Sequence, residues 1–289
     1  MEKLIGRGAE RREIDRCLKS DRSELVIVYG RRRIGKTFLI EQHFNQTFDF
    51  WYVGYRRIPT KEQLRRFGKA LTKFSGGTKY KLSTWFEAFD ALEEYLESLP
   101  KDRKKVIFID EMPWMDRINS NFVAALEGFW NGWAMSRGDI MLIATGSATS
   151  WMRDKLIGNK GGLHARITSQ LHILPFTLGE TEKYLESEGI SWDRYQILQS
   201  YMILGGVPFY YSILNPELSL AQNIDELFFK PDGKLRLEFD ELYTALFQYA
   251  DKYIDVVRTL SGYKYGMTYS DHKDRRQPAQ PHNKKSRKV

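Results

Sequence analysis

The stretch from Gly30 to Thr37 carries the residue types that bind phosphate. It reads Gly-Arg-Arg-Arg-Ile-Gly-Lys-Thr and fits the pattern G-x-x-x-x-G-K-[ST]. It directly follows the apolar run Leu25–Tyr29, which predicts a buried strand, and we expect a helix to begin at Lys36. The backbone N–H groups of such a loop can surround phosphate oxygens, and a helix N-terminus favours the same anion. The sequence therefore predicts a nucleotide phosphate site.

The residues of this loop have separate expected contacts. Lys36 would hold the β- and γ-phosphates, and the Thr37 hydroxyl would be a ligand of Mg²⁺, an ion that keeps most of its waters. The other residues expected to line the nucleotide are Gly30, Arg31, Arg32, Arg33, Ile34, Gly35 and Phe38. The alternative is a basic turn between a core strand and a surface helix.

A second apolar run ends in two acids. Residues 106–109 are Val-Ile-Phe-Ile and lead to Asp110 and Glu111, as expected for a parallel strand that ends at an active site. Asp110 would bind Mg²⁺ through water. Glu111 would point the opposite way along an extended chain, where it could deprotonate a water that attacks the γ-phosphate. The alternative is a solvated acidic pair, but two halves of a phosphate site in this order favour the catalytic interpretation.

Composition limits the class of protein. The chain has 289 residues, of which 42% are hydrophobic and 14% aromatic, enough for a packed core. Cys17 is the single cysteine, so an intramolecular disulfide or a cysteine metal site is excluded, and this suits a reducing compartment. The first residues show no signal-peptide pattern, and no apolar run approaches the roughly 20 residues that cross a bilayer. We expect a cytoplasmic protein without a membrane partner.

The formal net charge of +8 raises the question of a nucleic-acid partner. Residues 271–289 contain seven Lys or Arg and two Asp, so this tail supplies +5 and the first 270 residues only +3. That balance is ordinary for a soluble domain and weakens a nucleic-acid interpretation. The tail itself is expected to be solvated and disordered, with binding to nucleic acid or membrane headgroups as the alternative.

Strands and amphipathic helices alternate from residue 25 to about residue 175. This alternation predicts the α/β class, with a parallel sheet covered by helices on both faces. The predicted strands lie near residues 25–30, 48–54, 105–110, 139–145 and 170–174, and the predicted helices at 61–74, 84–99 and 119–134. After Pro175 we predict helices alone, at 178–188, 192–204, 209–214, 221–229 and 238–260.

Aromatic and histidine residues elsewhere in the chain are given structural interpretations. The tryptophans and their neighbours at 51–52, 114 and 129–133 are expected in the core or an interface rather than in a base-stacking platform. The five histidines show no metal-ligand spacing.

Three further short motifs complete a set of five. They are Leu-Ile-Gly-Arg-Gly-Ala-Glu at residues 4–10, Ile-Ala-Thr-Gly-Ser at 143–147 and Gly-Val-Pro at 206–208. Together with the phosphate loop and the acidic strand, which has a Pro113-Trp114 extension, they resemble the archaeal-type ATPase family of STAND and AAA+ P-loop ATPases. The resemblance covers roughly residues 4–260.

The resemblance implies a P-loop NTPase three-layer sandwich at residues 1–175 and a small helical lid at 176–234. Members of the family continue into a complete winged-helix domain. Because residues 271–278 lack apolar content, we expect only the start of that domain, at 235–265, followed by a disordered basic tail at 266–289. A natural truncation or a shifted reading frame would explain this, and DNA contact through a finished winged helix is then not expected.

The resemblance also implies roles for residues outside the two phosphate-site motifs. Ile5 and Arg7 would lie beside the adenine, and Pro208 would border the base. Ser147 would sense the γ-phosphate. Arg166 would stabilise charge on the transferring phosphoryl group, in cis or across a subunit interface formed by self-association; the alternative is an exposed arginine at the end of a loop. ATP is favoured over GTP through the resemblance alone.

We therefore predict an ATP-binding protein that hydrolyses ATP to ADP and phosphate with Mg²⁺, and that uses hydrolysis to change a lid or an assembly. One alternative is an ATP-dependent regulatory switch with little turnover, which would act by assembly or by capture of a protein partner. The other is a nucleic-acid-binding regulator that uses the basic tail and the winged-helix residues.

Overall fold

Five apolar segments form one parallel sheet in the computed structural model, which describes residues 4–147, 151–158, 162–163, 165–246 and 250–268. The strands are β1 (Glu24–Tyr29), β2 (Phe50–Val53), β3 (Lys105–Asp110), β4 (Ile140–Gly146) and β5 (Ser169–His172). Their order across the sheet is β2-β3-β4-β1-β5, and every neighbouring pair is parallel. The predicted α/β class with a parallel sheet is confirmed.

The pairing register brings the chemically important strand ends to one edge of the sheet. Tyr29 at the end of β1 pairs with Gly146 of β4, and Val53 of β2 pairs with Asp110 of β3. Every residue of β3 and β4 is buried, as expected for strands covered on both faces. The phosphate loop follows β1 directly, so it emerges at the same edge as Asp110.

Helices connect these strands and continue after the last one. In the described residues they are α1 (Gly8–Lys19), α2 (Lys36–His43), α3 (Thr60–Phe74), α4 (Trp85–Glu97), α5 (Phe122–Phe129), α6 (Met135–Arg137), α7 (Leu178–Ser187), α8 (Arg194–Leu204), α9 (Pro208–Ser212), α10 (Leu220–Ile224), α11 (Glu238–Leu246) and α12 (Ala250–Ser261). Shorter segments are a 3₁₀ turn at Met112–Trp114 and π-helical stretches at Trp130–Ala134, Met152–Ile157 and Asp225–Phe229.

One predicted helix is two helices in the structure. The expected single helix over 238–260 is wrong, because Arg258 of α12 lies 3.3 Å from Asp240 of α11 although the two residues are 18 positions apart. In one straight helix that separation would be about 27 Å. Residues 238–246 and 250–261 are therefore two separate helices that contact each other. Apolar spacing alone does not reveal where the first helix ends.

Of the aromatic residues that the sequence assigns to the core or an interface, Tyr52, Phe129 and Trp133 are buried, while Trp51 and Trp114 are half-buried. Phe67, Trp85, Phe89 and Phe122 are buried between the sheet and helices α3 to α5, with ring centroids of Phe67 and Trp85 5.6 Å apart. Trp130, in the aromatic stretch at residues 129–133, is also fully buried.

The chain divides into two compact units, residues 1–217 and 218–289. The domain ranges predicted from the sequence stay predictions. From residue 269 onwards, the basic tail lies outside the described residues. Within the described part, no helix is both long and apolar enough to cross a membrane.

A buried ion pair lies at the edge of the sheet opposite the phosphate loop. Lys105 is 1% exposed, and its Nζ lies 2.7 Å from Asp139 Oδ2. Burial alone would raise the pKa of Asp139, but hydrogen bonds from Arg137 and Lys105 outweigh it and lower the pKa to about 2. The ionised carboxylate is thus strongly favoured in the folded chain.

We expect Asp139→Asn to lower the free energy of unfolding by about 3 to 5 kcal/mol at neutral pH, because Lys105 is then a buried cation without a carboxylate. Urea unfolding measures this, with the exposed Asp102→Asn as the control. Because the folded pKa of Asp139 lies below its ordinary value of 3.8, its stabilisation is complete above that value and is lost as the pH falls towards 2. The parent should lose on the order of 2 kcal/mol from this group on acidification. An Asp139→Asn chain as stable as the parent would contradict the expectation.

Candidate functional site

The backbone of the phosphate loop requires glycine at two positions. Gly30 has φ 149°, and a Cβ there would lie 2.4 Å from the Ile173 carbonyl oxygen. Gly35 has φ 84° and immediately precedes Lys36, where α2 begins as predicted. Side chains are disfavoured at such positive φ values. The two glycines therefore let the chain turn from β1 into α2, so that the N-terminus of α2 can face an anion.

Lys36 is folded into this loop. Its Nζ donates to the carbonyl oxygens of Gly30 at 3.1 Å and Arg31 at 3.0 Å, and the residue is only 5% exposed. Burial lowers the pKa of Lys36, while the nearby carboxylates of Glu111 and Asp110 raise it. A buried ammonium that bonds carbonyl oxygens would form stronger hydrogen bonds if charged phosphate oxygens replaced them.

Asp110 joins the loop to the acidic strand. Its Oδ2 accepts a 2.9 Å hydrogen bond from Thr37, and its Oδ1 accepts from Thr145 and from the Glu111 amide. Burial raises the pKa of Asp110, whereas the hydrogen bonds from Thr145 and Thr37 lower it. Thr37 and Asp110 thus offer two oxygens side by side, the donor type that Mg²⁺ prefers.

The backbone at Glu111 differs from the one that the sequence predicts. The expectation of an extended chain is wrong, because Glu111 has φ 49° and ψ 43°, a left-handed conformation, directly before the 3₁₀ turn. Its Oε2 accepts hydrogen bonds from the Ser147 hydroxyl at 2.9 Å and amide at 3.4 Å. Gly54 permits this turn, since a Cβ there would lie 2.5 Å from the Glu111 carbonyl oxygen.

Thr145 is a site residue that the sequence interpretation missed. It contacts Asp110, while Ser147 contacts Glu111. Alternate residues of a strand share one face, so choosing Ser147 could also have drawn attention to Thr145.

A cavity of about 390 Å³ opens beside the phosphate loop. Among its walls are predicted residues from three motifs together with Glu111: Ile5, Arg7, Arg32, Arg33, Ile34, Gly35, Lys36, Thr37, Phe38 and Pro208. The lining residues that the sequence interpretation did not assign to the site are Leu4, Phe176, Tyr184, Glu188, Phe209 and Ser212. The structure therefore brings three motifs to one cavity: the phosphate loop, the N-terminal box at residues 4–10 and the Gly-x-Pro element at residues 206–208.

Arg7 connects the N-terminal box to the phosphate loop by a hydrogen bond. Its Nη2 donates to the Ile34 carbonyl oxygen at 3.2 Å, and its guanidinium lies 5.1 Å from the centre of the Phe176 ring. Burial lowers the pKa of Arg7, while Glu10 and Glu180 raise it. Arg7 thus forms part of the wall that connects the loop to the apolar side of the cavity.

Phe209, which directly follows the Gly-x-Pro element, also contacts the phosphate loop. The Phe209 ring lies 4.5 Å below the Arg33 guanidinium, and the Phe209 amide donates to the Arg33 carbonyl oxygen at 3.4 Å. A Cβ on Gly206 would lie 2.3 Å from the Phe176 carbonyl oxygen, so glycine is required there. No spacing rule links Phe176 and Phe209 to the cavity, since they meet only through tertiary packing.

Arg166 is not among the residues that line the cavity. Its guanidinium contacts the Met135 sulfur at 2.7 Å. The role of Arg166 in cis and its role across a subunit interface both stay predictions.

One of the comparisons with known proteins shows the family of this chain. A family model described as an ATPase domain predominantly from Archaea matches residues 4–210. An uncharacterized protein of Methanocaldococcus jannaschii is 23% identical over 258 residues, which are 89% of this chain and 54% of that protein. The chain therefore spans about half the length of this relative.

Solved structures share the fold. A Walker-type ATPase of Pyrococcus abyssi superimposes with a TM-score of 0.65 at 17% identity, over 97% of this chain and 87% of that one. Drosophila ORC, in a structure bound to DNA, gives 0.56 at 12% identity, over 95% and 78%. At these identities the likeness concerns the fold alone, and it confirms the predicted P-loop NTPase fold.

Proposed function

Because this chain belongs to the family of ATPase domains found predominantly in Archaea, we propose that the site around its phosphate loop binds ATP with Mg²⁺ and hydrolyses it to ADP and phosphate. The observation that carries the proposal is the 2.9 Å hydrogen bond between Thr37 and Asp110. It joins the phosphate loop to the acidic strand, so that one reacting group can contact both.

The residues present fit a magnesium ion. The Thr37 hydroxyl and the Asp110 carboxylate are adjacent hard oxygen donors, and few protein ligands suffice for Mg²⁺. When bound, the ion would neutralise charge on the β- and γ-phosphate oxygens.

Lys36 and the loop amides would hold the phosphates. Lys36 would exchange the carbonyl oxygens of Gly30 and Arg31 for phosphate oxygens. Arg32 and Arg33 also line the cavity, and their positive charge favours a triphosphate. The amides at the start of α2 point the same way because Gly35 turns the chain there.

Glu111 would act as the general base. Its carboxylate would take a proton from a water whose oxygen attacks the γ-phosphorus, while the bond from that phosphorus to the β–γ bridging oxygen breaks and ADP leaves with the electron pair. The hydrogen bonds from Ser147 fix the Glu111 carboxylate. Through this contact, Ser147 would respond to the presence of the γ-phosphate.

The apolar side of the cavity would take the base. Ile5, Phe176 and Pro208 lie on this side, and Arg7 fixes the Phe176 ring. The choice of adenine rests on the family. Because Phe209 contacts Arg33 of the loop, loss of the γ-phosphate would move the helices after Phe176 relative to the loop, which is the proposed lid change.

Phosphate release from ATP by the full chain tests this proposal, with Mg²⁺ present and after its removal by a chelator. We expect turnover only with Mg²⁺, and Thr37→Val should need a higher Mg²⁺ concentration for the same rate. Thr72→Val, on α3, is the matched control and should behave like the parent. Tight ATP binding without phosphate release would contradict hydrolysis and favour the alternative of a regulatory switch.

A further inference from the structure

Within the first 270 residues, the positive charge is concentrated in one segment. Residues 54–81 contain nine Lys or Arg and one acidic residue, a net charge of +8. The tail at 271–289 adds +5, so the rest of the chain carries −5. The net charge of +3 over the first 270 residues is thus the sum of a basic segment and an acidic remainder. This small total weakens a nucleic-acid interpretation only when the chain is counted as a whole.

Helix α3 presents this charge on one face. Its apolar residues Leu64, Phe67 and Leu71 are buried. The opposite face carries an exposed row with a spacing of four residues: Lys61, Arg65, Lys69 and Lys73. Residues four apart on a helix lie about 6 Å from each other, so the row is about 18 Å long.

The segment after α3 adds a further lysine beside this row. Residues 80–83, which include the exposed Lys81, line a cavity of about 440 Å³ together with Lys61 and Arg65. Gly68 allows this close packing, because a Cβ there would lie 3.0 Å from the Tyr80 carbonyl oxygen. A glycine inside a helix costs about 1 kcal/mol relative to alanine, and here it lets the basic segment lie against α3.

The loop before α3 adds arginines and aromatic rings. The Arg56 guanidinium lies 5.3 Å from the Trp114 ring, and the Arg66 guanidinium lies 4.5 Å from the ring of Tyr55, which is 42% exposed. The buried Gln63 fixes this loop by donating to the carbonyl oxygens of Tyr55 at 2.7 Å and Trp114 at 3.0 Å. The guanidinium planes are therefore held in place against the rings.

Most of these charges are not compensated by acids. Glu62 pairs with Arg65 and Arg66, at 2.7 and 2.8 Å. Across the residues that the structure describes, no ion pair engages the other seven cations of the segment: Arg56, Arg57, Lys61, Lys69, Lys73, Lys79 and Lys81.

We propose that the α3 basic surface, formed by Arg56, Arg57, Lys61, Arg65, Lys69, Lys73 and Lys81, binds the phosphodiester backbone of nucleic acid. A row of fixed cations matches a polyanion. The exposed Tyr55 ring and the ordered guanidinium planes favour a single strand, whose bases can stack on them. A lipid surface is disfavoured because the apolar face of α3 is buried in the core, so α3 has no apolar face to insert.

The test is the fluorescence anisotropy of a labelled single-stranded DNA 20-mer of mixed sequence, titrated with the full chain at several salt concentrations. The variant replaces three exposed lysines of the row, Lys61→Gln, Lys69→Gln and Lys73→Gln. The matched control, Lys284→Gln, Lys285→Gln and Lys288→Gln, removes the same charge from the tail. We expect the α3 variant to bind at least about tenfold more weakly, with a salt slope smaller by about 2, since each phosphate contact contributes roughly 0.7 for a single strand.

Other results would overturn the proposal. Equal losses in both variants would mean that net charge alone matters, and a loss in the tail variant alone would place binding in the tail. Vesicles containing phosphatidylserine are the second probe: if the α3 variant loses vesicle binding but keeps DNA binding, the surface serves lipid. ATP binding equal to that of the parent, measured on each variant, shows that the substitutions leave the fold intact.

Discussion

We expect replacement of Glu111 with glutamine to lower ATP turnover at least about 100-fold and to leave the dissociation constant for ATP within about twofold of the parent value. The amide has almost the same shape as the carboxylate and can still accept a hydrogen bond from Ser147, but it cannot take a proton from water. Glu111 lies beyond Asp110 and outside the loop that holds phosphates, so binding should survive. The effect therefore falls on the chemical step.

Steady-state phosphate release and equilibrium ATP binding, measured on the same preparations, check this prediction. Glu186→Gln is the matched control because Glu186 is exposed on α7, and it should keep both parent values. Full turnover in Glu111→Gln would show that another group accepts the proton. An equal loss of binding and turnover would instead indicate a structural role for Glu111.

We expect replacement of Lys36 with methionine to weaken ATP binding by about 2 to 5 kcal/mol, which is at least about 30-fold, because the phosphates would lose a buried cation. Methionine fills a similar volume, and its thioether replaces an ammonium that now bonds only the carbonyl oxygens of Gly30 and Arg31. The effect should appear in the dissociation constants of both ATP and ADP, and more strongly for ATP, since Lys36 is expected to reach the γ-phosphate.

Isothermal titration of both nucleotides measures this effect. Lys19→Met removes the same charge from the exposed end of α1 and should leave both affinities unchanged. If Lys36→Met bound ATP as tightly as the control does, the phosphate loop would not be the nucleotide site.

The phosphate loop could be predicted from the sequence because its determinants are local. Two glycines and a lysine at fixed spacing, directly after a strand, specify the turn from Gly30 to Lys36. The meeting of Thr37 with Asp110 was also predictable, since parallel strands β1 and β3 end at the same edge of the sheet.

The conformation of Glu111 could not be predicted in the same way. Its left-handed backbone depends on Gly54, a residue 57 positions earlier that leaves room for the Glu111 carbonyl group. The aromatic walls of the cavity, Phe176 and Phe209, likewise depend on contacts with Arg7 and Arg33 that arise only when distant segments pack.

The basic face of α3 was visible in the sequence but was concealed by averaging. Lys61, Lys69 and Lys73 recur at helical spacing, yet the acidic remainder of residues 1–270 cancels most of the positive charge of residues 54–81 in the total. The helices α11 and α12 were predicted as one helix, because continuous apolar spacing does not reveal where a helix ends.

The most direct test of the proposed site is a crystal structure of the Glu111→Gln chain with ATP and Mg²⁺. We expect Lys36 Nζ to leave the carbonyl oxygens of Gly30 and Arg31 and to bond oxygens of the β- and γ-phosphates. We also expect Thr37 and Asp110 to lie beside the metal ion, Asp110 through water. A nucleotide bound elsewhere, or a Lys36 that still bonds the loop carbonyl oxygens while ATP occupies the cavity, would contradict the proposed site.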